Sequence, residues 1–389
     1  MSRSMSISLS IESPTLADRD ELLQLYFLIY GKNYPLLYGS DPQAMAEMIS
    51  SDEHKWLIVR DHDNGLIVGS IVFEMDLVNK VGKAAALVVH PEYRKAGIAS
   101  KLVSCGDRLI AEDGCLNSIY TTTRTRSVGP QLVFLREHYL PLGIFPNAHK
   151  LKYRETTTLC AKFKRGVLGR RAPTAKIPEA LVPLYEAVRE QFPQIEIPPV
   201  ADLPEKYVTN TADRGTTFEC IFAPHFVLRR FKEFTNDSAA RFYPFHLPNL
   251  LLTDTNGELE IFAYLNQSDG YCTLIACNRP AYTFEQSLPD ILEEIKNLGG
   301  AYVEVLIEVD RHESLATLLR ARFLPSAFYP AMREADGVTY DYVVMTRSTE
   351  PLDFRGMSID QAFKPYVDQY VAVWKEMHLD ALEVFDDYT

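Results

Sequence analysis

Apolar runs separated by turn residues predict alternating strands and helices in the first half of the chain. WLIVRDHDNGLIVGSIVFEMDL (56–77) contains two such runs joined at Asn64-Gly65, a pair that tolerates the positive φ of a tight hairpin. KAAALVV (83–89) is apolar almost throughout, which predicts a strand buried on both faces. By the same criteria, two more strands are predicted at 116–123 and 153–163, and helices at 18–30, 41–50, 97–113 and 131–140.

The same series of elements recurs in weaker form in the second half. NLLLTDTNGELEIFAYLNQ (249–267) has its own Asn-Gly turn, CTLIAC (272–277) repeats the buried strand, and AYVEVLIEV (301–309) repeats a later one. FLPSA (323–327) also matches IFPNA (144–148). An ordered recurrence of this kind indicates a duplicated domain, although chance similarity between two mixed α/β domains is an open alternative.

This pattern predicts an α/β fold with two tandem domains, each a mostly antiparallel, twisted sheet flanked by helices. A basic segment rich in glycine and proline, KRGVLGRRAPTAKIPE (164–179), marks the linker. The tail 359–385 has the apolar pattern of a long amphipathic helix, which is expected to pack against one domain or against a partner subunit in a homodimer. The predicted parts are a first domain at 1–165, a linker and connecting helix at 166–205, a second domain at 206–348 and a helical extension at 349–389.

Composition narrows the possible partners. The chain of 389 residues is 47% apolar and 24% charged, which is typical of folded domains, and its net charge of −12 argues against a general nucleic-acid binder. It has no apolar run long enough to span a membrane and no signal-peptide core at its start. Six cysteines without a CxxC pair are typical of reduced thiols, so we expect a cytoplasmic protein that binds neither nucleic acid nor membrane.

The segment VVHPEYRKAGIASKLV (88–103) leaves the buried strand through a short basic loop and then opens a helix. The N-terminus of a helix has unpaired N–H groups and a partial positive charge, and Gly97 lets the backbone approach a ligand closely. No Walker lysine-serine pair and no G-x-G-x-x-G follow, so neither nucleotide motif fits. By itself the segment indicates an anion site or a solvated turn.

In its context, this segment resembles a known family. A strand, then [Arg/Gln]-x-x-Gly-x-[Gly/Ala], then a helix is the signature of the GCN5-related N-acetyltransferases, and RKAGIA (94–99) is similar to it. VVHPEY (88–93) resembles that family's approach to the turn, and YLPLGIF (139–145) resembles its Tyr-x-x-x-Gly-Phe element with one extra residue. The resemblance covers residues 8–165 and, in eroded form, 206–348.

The resemblance implies that acetyl-CoA is the cosubstrate. It implies that the turn cradles the diphosphate with its backbone amides, and that a bulge in the preceding strand opens the sheet for the pantetheine arm. The cofactor-binding residues implied in this way are Leu87, Val88, Val89, Arg94, Lys95, Ala96, Gly97, Ile98, Ala99 and Ser100.

Acetyl transfer to an amine also needs a donor for the developing oxyanion and an acid for the leaving thiolate. The main-chain N–H of Val88 or Val89 could serve as the donor. Tyr139 stands where the family commonly places a tyrosine acid, four residues before Gly143. The alternative is that Tyr139 only packs against the pantetheine arm.

The candidates for the general base follow from the residues themselves and not from the family resemblance. Glu74 and Asp76 lie on one face of a predicted strand next to the buried strand, so either could take the proton through water. A solvent-facing carboxylate pair is the alternative. His90 has a suitable ordinary pKa and is a further candidate, or a plain loop histidine.

The acceptor side is predicted in two places. Tyr34 and Tyr38 lie on a loop where a glycine and a proline break the preceding helix, and they could line an aromatic pocket. Arg124 and Arg126 follow the next strand and could pair with an acidic acceptor, although exposed arginines are the commoner explanation.

The corresponding turn of the second half, NRPAYTFEQ (278–286), has lost these features. Aligning Pro280 with Pro91 puts Gln286 at the position of Gly97, and Glu285 adds a negative charge. The second copy is therefore predicted to be degenerate and to lack a CoA site.

The leading hypothesis is an acetyl-CoA-dependent N-acetyltransferase whose site lies in the first domain and needs no metal. Its acceptor would be a small-molecule amine, or a protein lysine or N-terminus. Two alternatives stay open: a non-catalytic acyl-CoA-binding regulatory module, and an effector-like acetyltransferase directed at a protein. Fold alone does not choose between them.

Overall fold

The computed structural model describes residues 8–31, 37–150, 153–201, 217–234 and 239–379. The chain divides into two units, each with its own hydrophobic core. Unit 1 consists of Met1–Thr122, Gly129–Leu140 and Cys160–Leu168. Unit 2 consists of Thr123–Val128, Pro141–Leu159 and Gly169–Thr389. The domain boundaries inferred from the sequence stay a prediction.

The first half of the chain folds into the strands and helices that the apolar pattern predicts. In chain order they are β1 (Leu9–Glu12), α1 (Arg19–Tyr30), α2 (Pro42–Ile49), β2 (His54–Asp61), β3 (Ile67–Asp76), β4 (Val81–Val89), α3 (Ile98–Ser104), β5 (Ser118–Arg124), α4 (Gly129–Arg136), β6 (Leu140–Lys150) and β7 (Arg154–Phe163). In unit 1 the strand order is β1-β2-β3-β4-β5, antiparallel up to β4, and β4 pairs with β5 in parallel.

Two helices are shorter than predicted, each for a local reason. The helix predicted at 97–113 ends at Ser104 and continues only as a short 3-10 helix, Cys105–Leu109. A Cβ at Gly106 would lie 2.8 Å from the Phe73 ring, so this glycine allows close packing on the sheet at the expense of helix propensity. The helix predicted at 131–140 ends at Arg136 because His138, with φ of 63°, turns the chain toward β6.

The core of unit 1 forms where α1 and α2 pack on the sheet. Leu22 and Tyr26 of α1 and Met45 of α2 are fully buried, together with Trp56 and Val72 from the strands. Such side chains stabilise the fold by about 1.5–3 kcal/mol each when they leave water. The tyrosine at position 26 therefore belongs to the core of the unit.

Unit 2 contains most of the remaining elements. They are α5 (Val182–Arg189), β8 (Phe218–Ile221), α6 (Pro224–Phe234), β9 (Leu250–Asp254), β10 (Glu260–Asn266), β11 (Tyr271–Cys277), α7 (Leu288–Asn297), β12 (Tyr302–Glu308), α8 (His312–Arg320), β13 (Leu324–Ala335), β14 (Val338–Ser348) and α9 (Lys364–His378). Its strand order is β6-β13-β14-β12-β11-β10-β9-β8, and only β11 and β12 run parallel in these pairs.

The predicted fold class, a mixed α/β fold with mostly antiparallel sheet, is confirmed. Each unit contains a hairpin whose second strand leads through a helix to a parallel strand: β3-β4-α3-β5 in one and β10-β11-α7-β12 in the other. This shared order supports the predicted duplication, which stays a prediction.

The amphipathic C-terminal helix packs within unit 2. The Tyr366 hydroxyl of α9 donates to the Pro141 carbonyl at 2.7 Å, and Gln369 Nε2 donates to the Pro325 carbonyl at 3.0 Å. Among the described residues, no helix is long and apolar enough to cross a bilayer.

Gly143 lies where β6 meets β13 in unit 2, and it gives a direct test of this packing. Gly143 pairs with Ala327, and an added Cβ would lie 2.3 Å from the Ala327 Cβ and 2.4 Å from the Ser326 carbonyl oxygen. We expect Gly143→Ala to lower the free energy of unfolding by about 1–3 kcal/mol, because two strands must separate. The measurement is the urea midpoint.

Gly169→Ala is the matched control, because a Cβ at Gly169 would meet no atom within 4 Å. We expect it to change stability by less than about 0.5 kcal/mol. Equal midpoints for the two variants would show that β6 and β13 do not pack this closely.

Candidate active site

The turn between β4 and α3 has a backbone that few residues adopt. After β4 come a short 3-10 helix, Pro91–Tyr93, and then Lys95 and Gly97 with φ of 71° and 75°. Glycine reaches such angles without the steric cost that a Cβ brings. A Cβ at Gly97 would meet no atom within 4 Å, so the positive φ, and not crowding, explains the glycine.

The first N–H groups of α3 are not used by the fold. The first backbone hydrogen bond into the helix is donated by Lys101 to the Gly97 carbonyl at 3.1 Å. Within the described parts of the chain, no acceptor lies in hydrogen-bond range of the backbone N–H groups of Ile98, Ala99 and Ser100. Unpaired N–H groups at a helix start favour an anion.

The same turn carries two positively charged side chains that are not paired with carboxylates of the described residues. Arg94 and Lys95 are exposed, and neither forms an ion pair with any residue that the structure describes. An exposed arginine and lysine beside unpaired N–H groups raise the local positive potential in a chain of net charge −12. This turn can therefore attract a polyanion.

Tyr93 fastens the turn to the hairpin between β2 and β3. Its hydroxyl donates to Asp61 Oδ2 at 2.5 Å and accepts from Asn64 Nδ2 at 2.9 Å. The hydroxyl of Tyr93, helped by the Asp63 N–H, holds the pKa of the Asp61 carboxyl below its usual range. The aspartate therefore stays ionised near neutral pH and holds the turn in place.

β4 and β5 separate after a short paired stretch. Their register contains three pairs, from Val81↔Ser118 to Lys83↔Tyr120, and the Thr121 hydroxyl then donates to the Ala84 carbonyl at 2.8 Å. In the described residues no further backbone pair joins the two strands. The last five residues of β4 therefore present one backbone edge that β5 does not cover.

A bulge lies in this unpaired part of β4. Ser70 of β3 faces Val88 and Val72 faces Ala85, so Ala86 and Leu87 together face one residue. Ala86 has φ of 53°, which is strained for a residue with a Cβ.

Alternation along β4 decides which N–H groups reach its open edge. His90 donates its N–H to the Val68 carbonyl at 2.9 Å, on the β3 side. Since successive N–H groups point to opposite edges, that of Val88 also faces β3 and that of Val89 faces the open edge.

The bulge is held by a chain of buried hydrogen bonds that sequence reasoning missed. Trp56 Nε1 donates to Ser70 Oγ at 2.8 Å, Ser70 Oγ lies 3.1 Å from the Tyr26 hydroxyl, and that hydroxyl donates to the Ala86 carbonyl at 3.0 Å. Burial raises the pKa of Tyr26, so it keeps its proton. No periodic pattern in the sequence indicates these contacts, because the bonded residues are 14 to 60 positions apart along the chain.

Tyr139 lies in unit 1, just after α4. Its side chain is 2% exposed and its ring packs edge-on against Phe134, with centroids 5.1 Å apart. Its N–H donates to the Phe134 carbonyl at 3.0 Å. The ring is therefore fixed by the end of the helix.

The structure distinguishes the three candidate bases. Asp76 accepts from the N–H and the side-chain amide of Asn79 at 2.9 and 2.7 Å, so its carboxylate holds the turn between β3 and β4. His90 Nδ1 accepts from the Glu92 N–H at 3.4 Å. The half-buried carboxylate of Glu74 has no hydrogen-bond partner among the described residues.

The candidate acceptor residues belong to different parts of the chain, and their role stays a prediction. Tyr34 lies outside the described residues, and Tyr38 packs edge-on against Trp56 with ring centroids 5.7 Å apart. Arg124 and Arg126 belong to unit 2. The guanidinium of Arg124 is bound to Glu155 at 2.5–3.1 Å, while Arg126 is exposed.

The corresponding turn of unit 2 is built differently. It consists of two short 3-10 helices, Ala281–Thr283 and Glu285–Ser287, and none of its residues has a positive φ. The Glu285 carboxylate is bound to Arg320 of α8 by two hydrogen bonds of 2.6 and 2.8 Å. This turn is closed by a side chain of its own unit.

Part of this chain is similar in sequence to known proteins. Residues 19–129 match the sequence model of the Acetyltransferase (GNAT) family. A stretch of 147 residues is 26% identical to beta-lysine N(6)-acetyltransferase of Methanococcus maripaludis and covers 38% of this chain and 48% of that protein. The chain thus spans about half the length of this curated relative.

Similar solved structures include an acetyltransferase of the GNAT family from Streptococcus pneumoniae and a variant of the spermidine N-acetyltransferase of Vibrio cholerae. The first has 18% identity and a TM-score of 0.36, covering 40% of this chain and 99% of the other. The second has 13% identity and a TM-score of 0.34, covering 40% and 94%.

Proposed function

Because residues 19–129 form an acetyltransferase domain of the GNAT family, we propose that unit 1 binds acetyl-CoA and transfers its acetyl group to a primary amine. The observation that carries the proposal is the set of unpaired N–H groups from Ile98 to Ser100, next to the uncovered edge of β4. The diphosphate would bind to these N–H groups and to the charges of Arg94 and Lys95. The pantetheine arm would lie along the uncovered edge.

The reaction would be a direct transfer. The neutral amine attacks the thioester carbon, the C–N bond forms, and the C–S bond breaks as the tetrahedral intermediate collapses. The N–H of Val89 would donate to the developing oxyanion, since it faces the open edge while that of Val88 faces β3.

Two side chains would move the protons. Glu74, whose carboxylate has no hydrogen-bond partner in the described part of the chain, would take the amine proton through water, whereas Asp76 holds a turn. Tyr139 would give its proton to the leaving thiolate. The acceptor class is tested first with amino acids that carry a side-chain amine, because the curated relative is named for β-lysine.

The test is thiol release from acetyl-CoA by the full chain across a panel of β-lysine, lysine, polyamines and peptides. Turnover with at least one amine is the expected result. Acetyl-CoA binding without turnover on any amine would instead favour a regulatory module. Absence of acetyl-CoA binding would contradict the proposal itself.

Replacing Tyr139 tests the proposed acid. We expect Tyr139→Phe to lower kcat about a hundredfold while the Kd for acetyl-CoA stays within about threefold, because only the thiolate loses its proton donor. Steady-state kinetics and calorimetric titration measure the two quantities. An unchanged kcat would leave Tyr139 as a packing residue.

A further inference from the structure

A cleft of about 430 Å³ lies in unit 2, outside the proposed acetyl-transfer site. Its walls come from the segment just after β5, from residues at the start of β7 and from the loop after β14. Tyr153 and Met357 supply aromatic and apolar surface, and the other walls are mainly polar or charged. Its volume is suitable for a small molecule.

The acidic residues of the cleft are already neutralised. Asp353 accepts two hydrogen bonds of 2.8 Å from the Arg355 guanidinium, which lowers the pKa of Asp353 to about 2. Glu155 lines the same cleft and is bound by Arg124. Each of the two carboxylates is therefore paired with an arginine, and neither needs a cation from solution.

One cationic side chain and one hydroxyl of the cleft have no partner among the described residues. Arg126 is exposed and has no ion-pair or hydrogen-bond partner among the described residues. Thr156 is 2% exposed, and its hydroxyl is buried without a hydrogen-bond partner in the part of the chain that the structure describes. A buried hydroxyl without a partner destabilises the folded chain, and an acceptor atom of a ligand would remove that cost.

We propose that this cleft binds a small molecule through a carboxylate group, with Arg126 and Thr156 as its donors. A guanidinium presents two parallel N–H groups that match the two oxygens of a carboxylate. Because the carboxylates of Asp353 and Glu155 are each paired with an arginine, Arg126 adds one positive charge to the cleft. One carboxylate group balances this charge, whereas a phosphate group carries a larger negative charge. Tyr153 and Met357 would contact the carbon chain of the ligand.

The experiment is a calorimetric titration of the full chain with three probes: glutarate, its neutral counterpart glutaramide, and inorganic phosphate. We expect glutarate to bind more tightly than both others. Arg126→Ala should weaken glutarate binding about tenfold, and Thr156→Val about threefold. Since Arg126 is exposed and valine is isosteric with threonine, both variants should fold.

Arg229→Ala is the matched control, because it removes the same charge from an exposed arginine over the Phe226 ring, elsewhere in unit 2. It should leave glutarate affinity unchanged. Equal affinity for glutarate and glutaramide, tighter binding of phosphate, or equal losses in the Arg126 and Arg229 variants would each overturn the proposal. These binding measurements do not depend on acetyl transfer, so the two proposals can fail separately.

Discussion

A Gly97→Glu variant is expected to weaken acetyl-CoA binding by at least about a hundredfold. The new carboxylate would stand beside the unpaired N–H groups of α3, where the diphosphate is proposed to bind. Two like charges a few ångströms apart at a protein surface repel by about 3 kcal/mol, which corresponds to this factor in Kd. Calorimetric titration of the full chain with acetyl-CoA measures it.

Gly97→Gln is the control that keeps the side-chain size and the backbone strain of the glutamate variant but removes its charge. It brings the same side-chain size and the same strain at φ of 75°, and a Cβ there meets no atom within 4 Å. We expect its Kd to rise by no more than about tenfold. The defect of the glutamate variant should also shrink at high salt, because screening weakens an exposed charge.

The same titration tests the second copy. We expect one acetyl-CoA per chain, since the turn of unit 2 has no positive φ and its Glu285 is bound to Arg320. Two sites in the wild type, or one undiminished site in Gly97→Glu, would contradict the assignment of the cradle to unit 1.

The second large effect is expected from Tyr26→Phe. Removing the hydroxyl leaves the Ala86 carbonyl without its 3.0 Å donor at the strained bulge, which precedes the N–H of Val89. A displaced oxyanion donor acts mainly on the transition state, so we expect kcat to fall about tenfold or more while the KM for acetyl-CoA changes less than about threefold. Steady-state kinetics with the best amine of the panel measures both.

Tyr370→Phe is the matched control for the loss of a buried hydroxyl. Tyr370 is 1% exposed, and its hydroxyl lies 3.3 Å from Thr346 Oγ1 within unit 2. Both variants should lose about 1–3 kcal/mol of stability, but only Tyr26→Phe should lose kcat. A folded Tyr26→Phe enzyme with wild-type kcat would mean that the bulge does not need this hydroxyl.

The elements that could be predicted from the sequence are those that depend on residues close together along the chain. Helix α1, the hairpin at Asn64-Gly65 and strand β4 follow from apolar period and turn residues, which act over a few positions. The positive φ at Gly97 is likewise a local property of the turn. Helix α3 was predicted too long because the contact between Gly106 and the Phe73 ring is not a local feature.

By itself, the sequence determined the order of strands and helices, the turn with its glycine, and the family resemblance, because each depends on neighbours along the chain. Only the tertiary structure decided that Tyr26 donates to a carbonyl 60 residues away. It also decided that Arg124 is bound to Glu155, whereas Arg126 has no such partner among the residues that the structure describes. The physical reason is that hydrogen bonds and ion pairs across a sheet join residues whose separation no periodic pattern records.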